Sequence, residues 1–164
     1  MRLRPTEMDS PESTLKRSEP DGGKPASGRF AALDIGAKRI GVAISDELNI
    51  SISRLPPIQR TSWKRLLLEV AELVQHYDAR ALVIGLPLSL DGTEGSAALD
   101  VRRLAEKFRL SLKVPVCLQD ERLTTFQAKE NLRSMSYDQS EIDRRLDSEA
   151  AAIILGDFIA SRDR

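Results

Sequence analysis

Apolar positions along the chain change their spacing several times, and each spacing predicts an element. Residues 30–35 (FAALDI) are a short apolar run, the mark of a buried strand. Residues 40–45 (IGVAIS) repeat it only four turn-like residues later, which predicts a hairpin. A weaker strand is expected over Ile50–Leu55, ending before Pro56-Pro57, because proline cannot donate to a ladder. Trp63, Leu66, Leu67, Val70, Leu73, Val74 and Tyr77 then follow the i, i+3, i+4, i+7 spacing of an amphipathic helix, with Ser62 placed to cap it. ALVIGL (81–86) reads as a buried parallel strand. After a loop, a helix is expected from about Ser96 to Leu110, a strand over Val116–Asp120 and a helix from about Thr125 to Met135. A polar stretch follows, then a last helix from about Asp147 to Ala160. This β-β-β-α-β-α-β-α-α order predicts an α/β fold, a mixed central sheet with helices on both faces.

Residues 1–27 break the pattern. They carry few apolar side chains and many Pro, Ser, Gly and charged ones, so they are read as a disordered tail, leaving 28–164 as a single domain. No apolar run approaches the ~20 residues of a membrane span, and the first residues lack the apolar core of a secretory signal. The single cysteine, Cys117, excludes an intramolecular disulfide and fits a reducing cytoplasm. The single histidine, His76, falls on the wet face of its helix and reads as a surface residue. One His and one Cys are too few for a zinc site of those ligands, so a bound metal would need carboxylates. Formal net charge is zero, with five basic and five acidic residues in 1–27 and 20 of each elsewhere. Overall charge thus argues against avid non-specific binding of nucleic acid, and only local charge can support it.

Three acids stand in unusual places. Asp34 interrupts an apolar strand at its C-terminal end, where ligand sites of open α/β sheets lie. It reads either as a metal ligand or as a turn-forming residue. Asp120 and Glu121 close another strand and point to opposite faces by alternation, and the sequence does not say which face matters. A polar strand end, or a Glu121 paired with Arg122, is the structural alternative. At 100° per residue, Ala150, Ala151, Ile154 and Phe158 all fall within about 60° of Asp147, so Asp147 shares the apolar face while Glu149 points away from it, toward water. The structural alternative for Asp147 is an N-cap or first-turn residue. Three carboxylates gathered at one sheet end would hold the hard divalent ions that phosphodiester hydrolysis uses.

ALDIGAKRIGVAISD (32–46), VIGLPLSLDGTEG (83–95), DERLTT (120–125) and LDSEAAAIIL (146–155), in that order, resemble the YqgF/RuvX family over about residues 29–160. Its members are described as pre-16S rRNA nucleases and as Holliday-junction-resolvase-like proteins. The resemblance implies the ribonuclease-H-like fold and hydrolysis of phosphodiester bonds with a divalent metal, Mg2+ or Mn2+. It implies Asp34, Glu121 and Asp147 as catalytic and metal-binding acids, with Glu121 preferred over Asp120. The chain departs from the family pattern at Ile35, where proline is common, and at Arg144-Arg145-Leu146 before the last acid.

Lys38 and Arg39 in the hairpin turn, and Arg122 beside Glu121, are candidates for backbone-phosphate contacts, or else solvated surface charges. The loop 91–95 leads into a helix N-terminus, where anions are favoured. The expected partner is precursor rRNA, presented free or in a ribosomal particle, with four-way branched DNA as the alternative and no membrane. A monomer or a homodimer is expected. A sugar kinase or actin-like ATPase also opens with an Asp-x-Gly hairpin, but needs a second domain for which about 135 core residues leave no room. A silent interaction module would have no need of three acids.

Overall fold

The computed structural model describes residues 27–122 and 124–162, leaving aside the Thr125 side chain. The tail expected over 1–27 lies, but for its last residue, outside the described residues. The elements are β1 (Phe30–Ile35), β2 (Arg39–Ser45), β3 (Ile52–Gln59), α1 (Trp63–His76), β4 (Ala81–Leu86), α2 (Ser96–Ser111), β5 (Val116–Asp120), α3 (Thr124–Ser134) and α4 (Gln139–Arg162). The sheet runs β3-β2-β1-β4-β5. Its β1–β2 and β2–β3 pairs are antiparallel, and β1–β4 and β4–β5 are parallel. The sheet is therefore mixed, as the meander and the later alternation predicted. None of the described helices is long and apolar enough to cross a membrane.

Two boundaries differ from expectation. Strand β3 does not stop at Pro56-Pro57 but runs through both to Gln59. Ile40 pairs with Ile58 and Val42 with Leu55, so the two prolines oppose the single residue Gly41 in a bulge. The missing N–H groups cost little there, because β3 is an edge strand and a bulge has already broken the ladder. Helix α4 begins eight residues earlier than expected, at Gln139. Asp138 caps it, its side chain accepting from the Glu141 backbone N–H at 2.9 Å. The Asp138-x-x-Glu141 spacing carries the signature of a capping box, and Ile142 is buried within the polar stretch. Asp147 is thus a mid-helix residue rather than a cap.

Strand alternation sorts the core into two layers. Ala31, Leu33, Ile40, Val42, Ile44, Leu82, Ile84 and Leu86 face the side covered by α1 and α2, where Leu66, Val70, Val101 and Phe108 meet them. Phe30, Ala32, Ala43, Ala81 and Val83 face the other side and pack on Ala151, Ile154, Leu155 and Phe158 of α4. The second face is built from smaller residues, and α4 lies close on it. At Gly41 an added Cβ would collide with the backbone carbonyl of Asp147, and at Gly85 with the Glu121 carboxylate and Ile154 Cδ1.

Helix α4 is also buried where one amphipathic face did not predict it. Glu149, expected to face water, is 2 % exposed. It accepts from Arg54 of β3 at 2.6 and 3.0 Å and from Asn131 of α3 at 3.3 Å. The reason is a second covering layer, since α3 packs along the side of α4 that the sheet leaves open. A buried carboxylate persists only when paired and hydrogen-bonded, and the Arg54 fork satisfies both oxygens.

Two stability predictions follow from this packing. Gly41→Ala should cost about 3 kcal/mol, because backbone must move, whereas Gly156→Ala on α4, with only Ile52 Cδ1 at 3.7 Å, should stabilise by about 0.5–1 kcal/mol; urea melts of both variants check this. Arg54→Ala strands the Glu149 charge and should cost about 3 kcal/mol at pH 7. The Glu149 carboxyl is held below its usual 4.5 by Arg54. Its contribution is therefore present above that value and lost as pH falls below it, so the gap between variant and wild type should close toward pH 4.

Candidate active site

Asp34 has the same parity as Phe30 and Ala32, so it lies on the α4 side of β1, near the strand's end. Glu121 follows β5. Its backbone N–H donates to Leu86 O at 3.2 Å, which carries the ladder one residue past the strand. Its parity with Cys117, which packs against the α4 layer, puts Glu121 on the same face as Asp34. Asp120 has the opposite parity. Its carboxylate accepts from the Arg122 backbone N–H at 3.0 Å and from Arg122 Nε at 2.8 Å, which holds its pKa down. The fold therefore brings Glu121, not Asp120, to Asp34. Gly85 on the strand between them leaves the space into which the Glu121 carboxylate reaches. A glycine inside an apolar strand is the sequence signal for such close approach.

The Asp34 and Glu121 carboxyls share a proton, Glu121 donating to Asp34. Burial pushes Asp34 up from 3.8 to about 6, and the Asp147 charge adds to the rise. Burial first, then the Asp34 charge, pushes Glu121 up to about 8. Two half-buried carboxylates this close repel each other when both are ionised, and the shared proton relieves that repulsion.

Asp147 reaches the same region from α4. Its Oδ2 lies 3.0 Å from Arg39 Nε at the start of β2. That oxygen is buried and accepts no hydrogen bond, because the guanidinium N–H is not aimed at it. Arg39 and Asp147, with Lys38 and Gln59, line a cleft of about 600 Å³ beside the hairpin turn. Arg60 braces that turn, donating from its backbone to Lys38 O at 2.9 Å and from Nη1 to Gly36 O at 3.1 Å. Lys38 is exposed at the cleft, as a phosphate contact would require. Arg122 is turned to Asp120 and to Leu90 O, away from the Asp34–Glu121 pair. In the loop 91–95, Asp91 accepts from Thr93 at 3.0 Å and Glu94 pairs with Arg102, so its acids serve the loop itself. His76 is exposed.

The donor set suits a hard divalent cation: oxygens only, a close half-buried carboxyl pair and an unsatisfied Asp147 oxygen. Among the described residues no three His, Cys, Asp or Glu side chains converge into one cluster. The acids come instead as a pair, with the third turned to Arg39.

Residues 28–161 match the family described as RuvX: Holliday junction resolvase. A protein of Anaeromyxobacter sp. (strain Fw109-5) named "Putative pre-16S rRNA nuclease" is 36 % identical over 134 residues, 82 % of this chain and 98 % of that protein. A protein of Syntrophus aciditrophicus (strain SB) with the same name is 40 % identical over 131 residues, 80 % of this chain and 87 % of that one. Among solved structures, T. thermophilus RuvC in complex with Holliday junction substrate is similar with a TM-score of 0.50 and 17 % identity, over 83 % of this chain and 96 % of that one. That likeness establishes the ribonuclease-H-like fold and nothing finer.

The raised carboxyls set a direction for stability against pH. The native state holds these protons more tightly than the unfolded chain, so stability should fall as pH rises from about 4 through about 8 when no divalent cation is present. Glu121→Gln removes one of the two charges. Its melting temperature should match wild type near pH 4.5 and exceed it at pH 8 by roughly 3–8 °C, on the order of 1–2 kcal/mol. Parallel curves for the two proteins across this range would refute the shared proton.

Proposed function

The chain belongs to the RuvX family, and on that premise we propose that it is a metal-dependent nuclease that processes the 5′ end of pre-16S rRNA. The observation that carries this reading is the half-buried Asp34–Glu121 pair, drawn together at the sheet's end with Asp147 near enough for its charge to act on Asp34. A bound divalent ion, magnesium or manganese, would supply charge neutralisation at the phosphate and an activated water. Asp34 and Glu121 would hold it, giving up their shared proton, and Asp147 would join them by turning from Arg39. Lys38 and Arg39 line the cleft at that point and would position the strand by its phosphates. Arg122, held by Asp120, would act at most from the rim.

The names borne by the relatives of this chain support RNA as the substrate. Zero net charge also favours a substrate presented by a ribosomal particle over unaided gripping of a duplex. Such a substrate is met in the cytoplasm, where Cys117 stays reduced. The description of the family favours a second reading, cleavage of four-way DNA junctions, which needs the same three acids.

Incubation with precursor 16S rRNA ends and with four-way junctions, side by side, distinguishes the two. Cleavage of the RNA is expected, and cleavage of the junction alone would reverse the order. Asp34→Asn should lower the rate by about 10²–10⁴-fold and EDTA should abolish it, with the fold retained by circular dichroism. Wild-type rates in Asp34→Asn would overturn the assignment.

A further inference from the structure

The short turn between α3 and α4 carries Ser136 at φ 62° and then Tyr137, ahead of the Asp138 cap. The Arg145 guanidinium stacks on the Tyr137 ring, 4.4 Å from its centroid. These two side chains, with Arg144, Leu132, Met135 and Pro57 of the β3 bulge, line a groove of about 410 Å³. Arg54 also borders it, but its charge is spent on the buried Glu149. Arg144 and Arg145 are exposed, and they leave the groove basic on a chain whose net charge is zero.

The groove adjoins the Asp147 cleft on both of its walls. Arg144 lies three residues before Asp147 on the same helix, a rise of about 4.5 Å. On β3, Pro57 borders the groove and Gln59, two residues on, borders the cleft. A strand with a phosphate beside Asp147 would carry its neighbouring nucleotide into the groove.

We propose that this groove receives an unpaired nucleobase adjoining the scissile phosphate, so that the protein binds single-stranded nucleic acid in preference to duplex. The inference rests on the nuclease reading, which places a phosphate of the strand beside Asp147. The chemistry is a flat phenol ring and a planar guanidinium already stacked on each other, beside apolar side chains and a second arginine. Both flat groups stack on nucleobases, and an arginine that swings aside opens the stack to admit one. The second arginine then meets a backbone phosphate. A base inside a duplex is stacked on its neighbours and cannot enter.

The test measures binding apart from cleavage. In the Asp34→Asn background, fluorescence anisotropy with a labelled single-stranded RNA, the same sequence as DNA and the matching duplex gives three affinities. Tyr137→Ala should weaken single-strand binding about tenfold and leave duplex binding within twofold, while Tyr137→Phe should bind as the parent does. Removing Arg144 should lower the slope of log K against log salt by about 0.7. Comparable losses on RNA and DNA support the stacking site, and a loss confined to RNA supports it with a sugar contact added. Unchanged single-strand affinity in Tyr137→Ala, or an equal loss on the duplex, overturns it. Cleavage by the wild-type protein is scored separately, so a chain that cuts nothing yet binds through Tyr137 loses only the nuclease reading.

Discussion

Helix α4 can carry an acid to the sheet's end only because the sheet offers it small side chains, or none, at the points of closest approach. Gly41, Ala43, Ala32, Ala81 and Gly85 lie beneath it beside Phe30 and Val83, and Ala151 and Ala152 are among its own contact residues. The backbone carbonyl of Asp147 lies where a Cβ of residue 41 would be. Larger side chains at these positions would lift the helix and withdraw Asp147 from Asp34. The geometry of the site is thus set by an absence of volume along one face of three strands, while ordinary large residues fill the opposite face.

The same closeness makes the site electrostatically uncomfortable. Four acids gather on this face of the sheet and on α4, of which only Glu149 is fully buried, and the protein answers in two ways. Asp34 and Glu121 share a proton. Asp147 and Glu149 each take an arginine from the antiparallel part of the sheet, Arg39 and Arg54. The two ion pairs differ in kind. Arg54 grips Glu149 by a fork of hydrogen bonds and binds the helix to the edge strand. Arg39 stands near Asp147 without a directed bond, which leaves that carboxylate free to change partner. An acid held in a buried ion pair and an acid that faces the cleft lie two residues apart on one helix, and the quality of their hydrogen bonds tells them apart.

What surrounds the acids bears on the substrate more than the acids do, since the ribonuclease-H-like scaffold serves RNA and DNA chemistry alike. The hairpin turn lines the Asp147 cleft, and the proline bulge of β3 and the α3–α4 turn line the neighbouring groove. Each owes its shape to local backbone chemistry: a short hairpin, a bulge that accommodates two prolines and a left-handed residue at Ser136. These segments aim the cationic and aromatic side chains.

The sequence by itself determined the strands β1, β4 and β5 and the helix α1, whose apolar spacing is strong and whose neighbours agree with it. It also carried the family, through four motifs in order. Alternation could not put Asp120 or Glu121 beside Asp34, because it says only that they oppose each other, and the preference for Glu121 came from the resemblance. Which of the two meets Asp34 depended on the α4 layer, which marks one face by small residues and a glycine. It misplaced the start of α4, because a polar first half hides a helix whose signal is a cap rather than a stripe. It sent Glu149 to solvent, since helical periodicity reports one covered face and cannot foresee that α3 covers another. Local spacing is a property of the chain and is read directly. Burial is a property of what else arrives, and only the tertiary structure decided it.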